Sequence, residues 1–203
     1  MIDYSNGEYP LIKKYFGEHA PKYKFLVDVG AHNIACNSYN LIMEDDWTGV
    51  LIEPSPATIV KLRETYKDKK LITIEQFAIL DTVAEMDFFL HPTATSLNTL
   101  KQNDWYKTIE DKSTIKSIKV QVRPLAYVLY DKKIPEDFDF LSVDAEGFDW
   151  VILNDMFDNS GYRPTYIVHE ISLKSIPDWK AMMDKNGYDF VAQTRGNLHY
   201  VRR

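Results

Sequence analysis

Apolar runs along the chain are short and regularly interrupted. Phe25 to Val29 holds one aspartate, Asp28, and breaks at Gly30 and Ala31, after which Ser38 to Met43 has the spacing of a helix. The unit then repeats. Val50 to Ile52 is closed by Glu53, Pro54 and Pro56, and Ile59, Val60, Leu62 and Tyr66 recur at helical intervals. Leu71 to Ile79 reads as a third strand, Phe138 to Val143 as a fourth and Tyr166 to Glu170 as a fifth. Trp150, Val151, Leu153 and Met156 suit a crossover helix between the last two. Such alternation predicts an α/β fold with a doubly wound, mostly parallel sheet, because parallel neighbours need a crossover connection.

Two regions depart from this pattern. Glu85 to Leu90 and Ile118 to Val122 read as additional strands, and Phe190 to Thr194 with Leu198 to Val201 as a hairpin around Arg195, Gly196 and Asn197. The sheet should therefore end in an antiparallel pair. Residues 91–117 form an insertion whose stretch from His91 to Thr114 is rich in Thr, Ser and Asn and too long for a plain connection, so a substrate loop or lid is expected there. No Gly/Ser/Pro-rich linker divides residues 1–203, which read as one domain.

Composition narrows the function classes. The 203 residues carry 24 Lys+Arg against 30 Asp+Glu, a net charge of −6, which argues against a protein that tracks nucleic-acid phosphates. Hydrophobic residues at 45% and charged residues at 27% are the proportions of a globular protein with a sizeable core. Cys36 is the single cysteine, so no internal disulfide can form. Charged residues interrupt the first 18 positions, and no apolar run approaches the roughly 20 residues a spanning helix needs. A cytoplasmic location without membrane association is the expectation.

In an open α/β sheet, ligands bind beyond the carboxyl ends of the strands where strand order reverses. The first such end is Asp28, Val29, Gly30, Ala31, His32 and Asn33, and Glu53 ends the second strand, where a carboxylate can accept from both hydroxyls of a ribose. A dinucleotide site would call for G-x-G-x-x-G, and only Gly30 is present. A carboxylate at Asp28 without those glycines fits a ligand that presents an ammonium or sulfonium, and S-adenosylmethionine is one. The alternative is that Asp28 and Gly30 simply end a strand.

The run Asp28 to His32, then Trp47, Gly49, Ile52, Glu53 and Pro54, and later Asp139, Phe140, Leu141, Val143, Asp144, Glu146 and Gly147, resembles the FkbM family of S-adenosylmethionine-dependent methyltransferases. Phe77-Ala78, Leu125 and His169-Glu170-Ile171-Ser172 extend the match from about Phe25 onward. The resemblance implies a Rossmann-like, class I methyltransferase fold. In it Asp28 and Gly30, with Ala31 and His32 in the same turn, would line the methionine side of the cofactor, Glu53 would hold the ribose, and Phe77 and Ala78 would lie by the adenine. Where such first motifs usually carry another glycine, this chain has Ile34.

The fourth strand ends in Asp144-Ala145-Glu146-Gly147, two carboxylates that point to the same side if the chain stays extended. Such a pair can hold a polar substrate, bind a cation or supply a base; the alternative is that one of them caps the next helix. His169 has the pKa range of a base for a hydroxyl, and a half-buried histidine bonded to backbone is the competing reading. Asp144 or His169 is thus the candidate base, with Glu146 and Ser96 as candidate acceptor contacts. Two carboxylates do not define a metal site, so none is assigned.

The function expected on this basis is methyl transfer from S-adenosylmethionine to a hydroxyl of a sugar, glycan or small-molecule acceptor. One alternative is an RNA ribose methyltransferase, for which Lys112, Lys116, Lys119, Arg123, Arg202 and Arg203 would supply a local basic surface. The other is a non-catalytic binding module that kept the cofactor fold, a reading prompted by Ile34.

Overall fold

The computed structural model describes residues 7–91, 99–100, 115–171 and 174–203. Its main sheet is built around β1 (Phe25–Val29), a run of apolar and β-branched residues broken only by Asp28. β1 pairs in parallel with β2 (Thr48–Ile52) on one side and with β7 (Phe140–Val143) on the other. β3 (Ile72–Glu75) extends the β2 side, and β8 (Tyr166–Glu170) extends the β7 side, all in parallel. The C-terminal hairpin of β9 (Tyr188–Gln193) and β10 (Asn197–Arg202) then closes that edge antiparallel, giving the order β3-β2-β1-β7-β8-β10-β9. Strand order therefore reverses at β1.

Alternation along the strands feeds two helical layers. Val27, Val29, Val50, Ile52, Leu141, Val143 and Ile167 face α4 (Leu125–Asp131), α5 (Asp149–Asn159) and α6 (Ile176–Lys185), whose Leu129, Met156 and Trp179 fill the same core. Leu26, Leu51, Phe140, Tyr166 and Val168 face the opposite way, toward α1 (Glu8–Glu18), α2 (Tyr39–Met43) and α3 (Pro56–Thr65). Local signals fix several helix starts. Ser55 caps α3 with Pro56 in its first turn, and Ser175 with Asp178 makes a capping box on α6. No helix among the described residues is long and apolar enough to cross a membrane.

The run from Leu71 to Ile79, expected as one strand, is split. β3 ends at Glu75, whose carboxylate pairs with Lys132, and the chain turns at Gln76 and Phe77 before β4 (Ala78–Ile79) joins a second sheet. In that sheet β6 (Lys116–Arg123) lies between β4, which it pairs in parallel, and β5 (Ala84–Leu90), which it pairs antiparallel. The cause is packing: Ile72 and Ile74 lie against the α1 to α3 layer, whereas Phe77 and Ile79 belong to the opposite core. β5 and β6 correspond to the additional strands expected from the pattern. Lys116 and Ser117, expected at the end of the insertion, belong to β6, and Thr99 bridges to Phe89 of β5. Most of the insertion lies outside the described residues.

Candidate active site

A cleft with about 930 Å³ of empty space, its mouth included, opens beyond the carboxyl ends of β1, β2 and β7, at the reversal of strand order. Asp28, Gly30, Ala31, His32, Glu53, Phe77, Ala78, Asp144 and Glu146 all line it. His169 does not, and Ser96 lies outside the described residues.

Gly30 is required twice over. Its φ is +80°, and a Cβ there would stand 1.8 Å from the carbonyl oxygen of Asp144. The ends of β1 and β7 meet at this point, with the Asp144 N–H donating to the Val29 carbonyl at 2.9 Å. The N–H groups of Gly30 and Ala31 both donate to the Ile52 carbonyl at 3.0 Å, so the turn folds back over β2. His32 and Ala35 take positive φ values, and the carbonyls of Asn33 and Ile34 accept from the hydroxyls of Thr65 and Tyr66. The loop is thus moored to the end of α3, and Ile34 is not among the residues lining the cleft.

Glu53 is buried, and each of its oxygens accepts one backbone N–H, from His32 at 2.9 Å and from Ser55 at 2.8 Å. A carboxylate has about four acceptor positions, so two remain for a vicinal diol. Burial pushes its pKa up to about 7, against the pull of those two N–H groups. Asp28 is also buried, and its Oδ2 has no hydrogen-bond partner among the described residues. Burial raises its pKa to about 7, opposed by the Ser38 and Ser142 hydroxyls and reinforced by Asp144 and Glu53. An unpartnered carboxylate oxygen here suits a cationic donor. On the far wall Phe77 presents a ring whose one face is covered by the Arg123 guanidinium, 4.9 Å from its centroid.

β7 ends at Val143, and the chain does not stay extended beyond it. Glu146 and Gly147 both have positive φ, so Asp144 and Glu146 reach the cleft from a turn. Neither caps α5: its N-cap is Phe148, with no side-chain cap bond, and Asp149 supplies the acidic group of the first turn. Burial raises the pKa of Asp144 to about 6, with Glu8 adding to it, and that of Glu146 to about 9, with Asp144, Glu170 and Asp149 adding to it. Among the described lining residues there are four carboxylates and no lysine or arginine.

The expectation of His169 as a base at the cleft is corrected by its surroundings. Its side chain faces the α6 side of β8, fully buried, with its ring 3.8 Å from that of Trp179 and stacked on Tyr200. Nδ1 is bonded to the Glu170 carbonyl at 2.9 Å, and burial lowers the pKa to about 4. The residues of the expected basic surface that are described lie on β6 and at the end of β10, several of them paired. Lys119 pairs with Asp87, Arg203 with Asp184 and Asp189, Arg202 donates to the Arg163 carbonyl, and Lys112 lies outside the described residues.

Several further lining residues are not among the site residues named from the sequence. Phe88, Thr99 and Leu100 arrive with the second sheet, and Cys36 and Asn37 with the first loop, Asn37 donating to the Ser142 hydroxyl at 3.1 Å. Burial pushes the Cys36 thiol up to about 11, consistent with a packed residue rather than a nucleophile.

A parallel sheet that reverses at β1, an antiparallel terminal hairpin and an acidic cleft at the reversal define a class I methyltransferase fold. Similar solved structures agree. The METTL16 methyltransferase domain matches with a TM-score of 0.56 at 12% identity, over 95% of this chain and 64% of that one. The N-terminal domain of human METTL16 in complex with S-adenosylhomocysteine matches with a TM-score of 0.53 at 10% identity, over 100% of this chain and 72% of that one. A protein from Pyrococcus horikoshii, named as a candidate RNA methyltransferase, matches with a TM-score of 0.51 at 9% identity, over 97% and 84%. This chain therefore spans only about two thirds of the METTL16 domain. No curated protein matches the sequence. The family model of the methyltransferase FkbM domain matches residues 28–190, and the chain belongs to that family, whose cofactor is S-adenosylmethionine.

Proposed function

We propose that the protein transfers the methyl group of S-adenosylmethionine to a hydroxyl oxygen of a sugar, glycan or small-molecule acceptor. The observation that carries this reading is the charge of the cleft: four carboxylates and no lysine or arginine among its described lining residues. Such a wall favours a cationic cofactor and a neutral, hydroxyl-rich acceptor, and it disfavours the closely spaced phosphates of a nucleic acid.

The donor set fits the cofactor. The two open acceptor positions of Glu53 suit a ribose diol, the unpartnered oxygen of Asp28 suits an ammonium, and Phe77 with Ala78 offers an apolar wall for a purine. When bound, S-adenosylmethionine supplies an activated methyl group on a sulfonium leaving group. The chain's part is to orient the acceptor, exclude water and take the hydroxyl proton. Asp144, with a pKa near 6, is the proposed base, and Glu146 and Ser96 are proposed to contact the acceptor. Residues 91–117 are proposed as the loop that selects it.

The test incubates the protein with labelled S-adenosylmethionine and separate panels of monosaccharides, glycans, small hydroxylated compounds and short RNAs. Label recovered as a methyl ether, lost in Asp144→Asn with S-adenosylhomocysteine binding intact, supports the reading. Methylation confined to RNA overturns the acceptor assignment. Absence of S-adenosylmethionine binding, with no turnover on any panel, favours a non-catalytic binding module.

A further inference from the structure

Behind the cleft lies a carboxylate that the proposed reaction does not use. Asp149, in the first turn of α5, is fully buried and absent from the described cleft lining. Its Oδ2 accepts the N–H of Ala145 at 3.3 Å, and its Oδ1 accepts the N–H of Glu170 at 3.1 Å. One side chain thus fastens the turn after β7 to the last residue of β8.

We infer that Asp149 is the positioning residue of the Asp144-Ala145-Glu146 turn, an inference that rests on the proposed role of Asp144. Ala145 sits between the two carboxylates that reach the cleft, and the residues after it, Glu146 and Gly147, both hold positive φ. A non-glycine residue in that conformation persists only where its surroundings impose it. The Asp144 N–H is tied to Val29, the Ala145 N–H to Asp149, and the Ala145 carbonyl to the Phe148 N–H at 3.3 Å. Removing Asp149 leaves the middle of the turn without an anchor to β8.

The identity of the side chain matters. Each carboxyl oxygen of Asp149 takes one of the two N–H groups, and asparagine would set an NH2 donor against one of them. Electrostatics alone argue the other way, since Asp144 and Glu170 both oppose ionisation of Asp149, whose pKa burial raises well above the usual carboxylate range. A residue that only filled space would gain by becoming asparagine. The clamp loses by it.

The experiment compares wild type, Asp149→Asn and Asp144→Asn by amide hydrogen exchange, S-adenosylhomocysteine titration and methyl transfer to the best hydroxyl acceptor. In Asp149→Asn the Ala145 and Glu170 amides should exchange at least tenfold faster, S-adenosylhomocysteine affinity should stay within about threefold, and kcat should fall at least tenfold with less change in KM. Unchanged exchange at both amides overturns the clamp, as does a parallel loss of kcat and cofactor affinity, which marks a general loss of structure. If Asp149→Asn does not fold, exchange in the wild type decides. Protected Ala145 and Glu170 amides support the clamp, and an unprotected Ala145 amide refutes it. Full activity in Asp144→Asn would refute the base while leaving the exchange result to judge the clamp.

Discussion

Gly30→Ala asks whether the contact between β1 and β7 builds the cleft. The added methyl would stand 1.8 Å from the Asp144 carbonyl oxygen, so the strand ends must part by about 1.2 Å to reach even a 3.0 Å approach. That displacement breaks the 2.9 Å bond from the Asp144 N–H to Val29, at about 0.5–1.5 kcal/mol. Holding alanine at a φ of +80° costs about 1–2 kcal/mol more. The expected destabilisation is therefore about 1.5–3.5 kcal/mol, which leaves a typical domain folded. Urea unfolding measures the loss, and calorimetric titration of S-adenosylhomocysteine measures the site, where affinity should fall more than tenfold. A change below about 0.5 kcal/mol with affinity retained would refute the close contact and the placement of the cofactor over it.

Other consequences can be measured separately. His169→Gln should lower stability but leave kcat within a few-fold, because the ring is buried against Trp179 and Tyr200; a loss of a hundredfold or more with cofactor binding intact would return His169 to the chemistry. Asp28 and Glu53 bind a proton more tightly folded than unfolded, so their contribution to the stability of the free protein is present below pH about 4 and lost as pH rises through about 7. Urea midpoints of the ligand-free protein should accordingly fall between pH 5 and pH 8, and a rise over that window contradicts the assignment. Cys36, with its thiol near 11, should be about one part in a thousand thiolate at pH 8 and react slowly with a disulfide reagent; reaction at the rate of free cysteine contradicts its burial.

The sequence was most informative where one residue type serves one local purpose. β1 and β8 have the bounds that their apolar runs predict, and the hairpin of β9 and β10 turns at Arg195 and Gly196 as expected, with Asn197 already in β10. The switch point and its acidic residues were legible because Asp28 and Glu53 sit at strand ends where a buried core has no use for charge. What escaped depends on contacts distant in the chain. Leu71 to Ile79 carries a local mark in its polar pair Glu75-Gln76, where β3 ends and the chain turns, but nothing local says that Ala78 and Ile79 then join a second sheet. Alternation places His169 and Glu170 on opposite faces but does not say which face Trp179 of α6 will cover. Asp149 reads as an ordinary first-turn acid of a helix, and only the position of β8 gives it a second partner.

The most direct measurement is calorimetric titration of S-adenosylhomocysteine into wild type and Glu53→Ala. The account predicts micromolar binding to wild type, weakened in the variant by about 1–3 kcal/mol as the two ribose hydroxyls lose their acceptor. Absence of binding to the wild type, or equal affinity in the two proteins, would contradict the assignment of this cleft as the cofactor site.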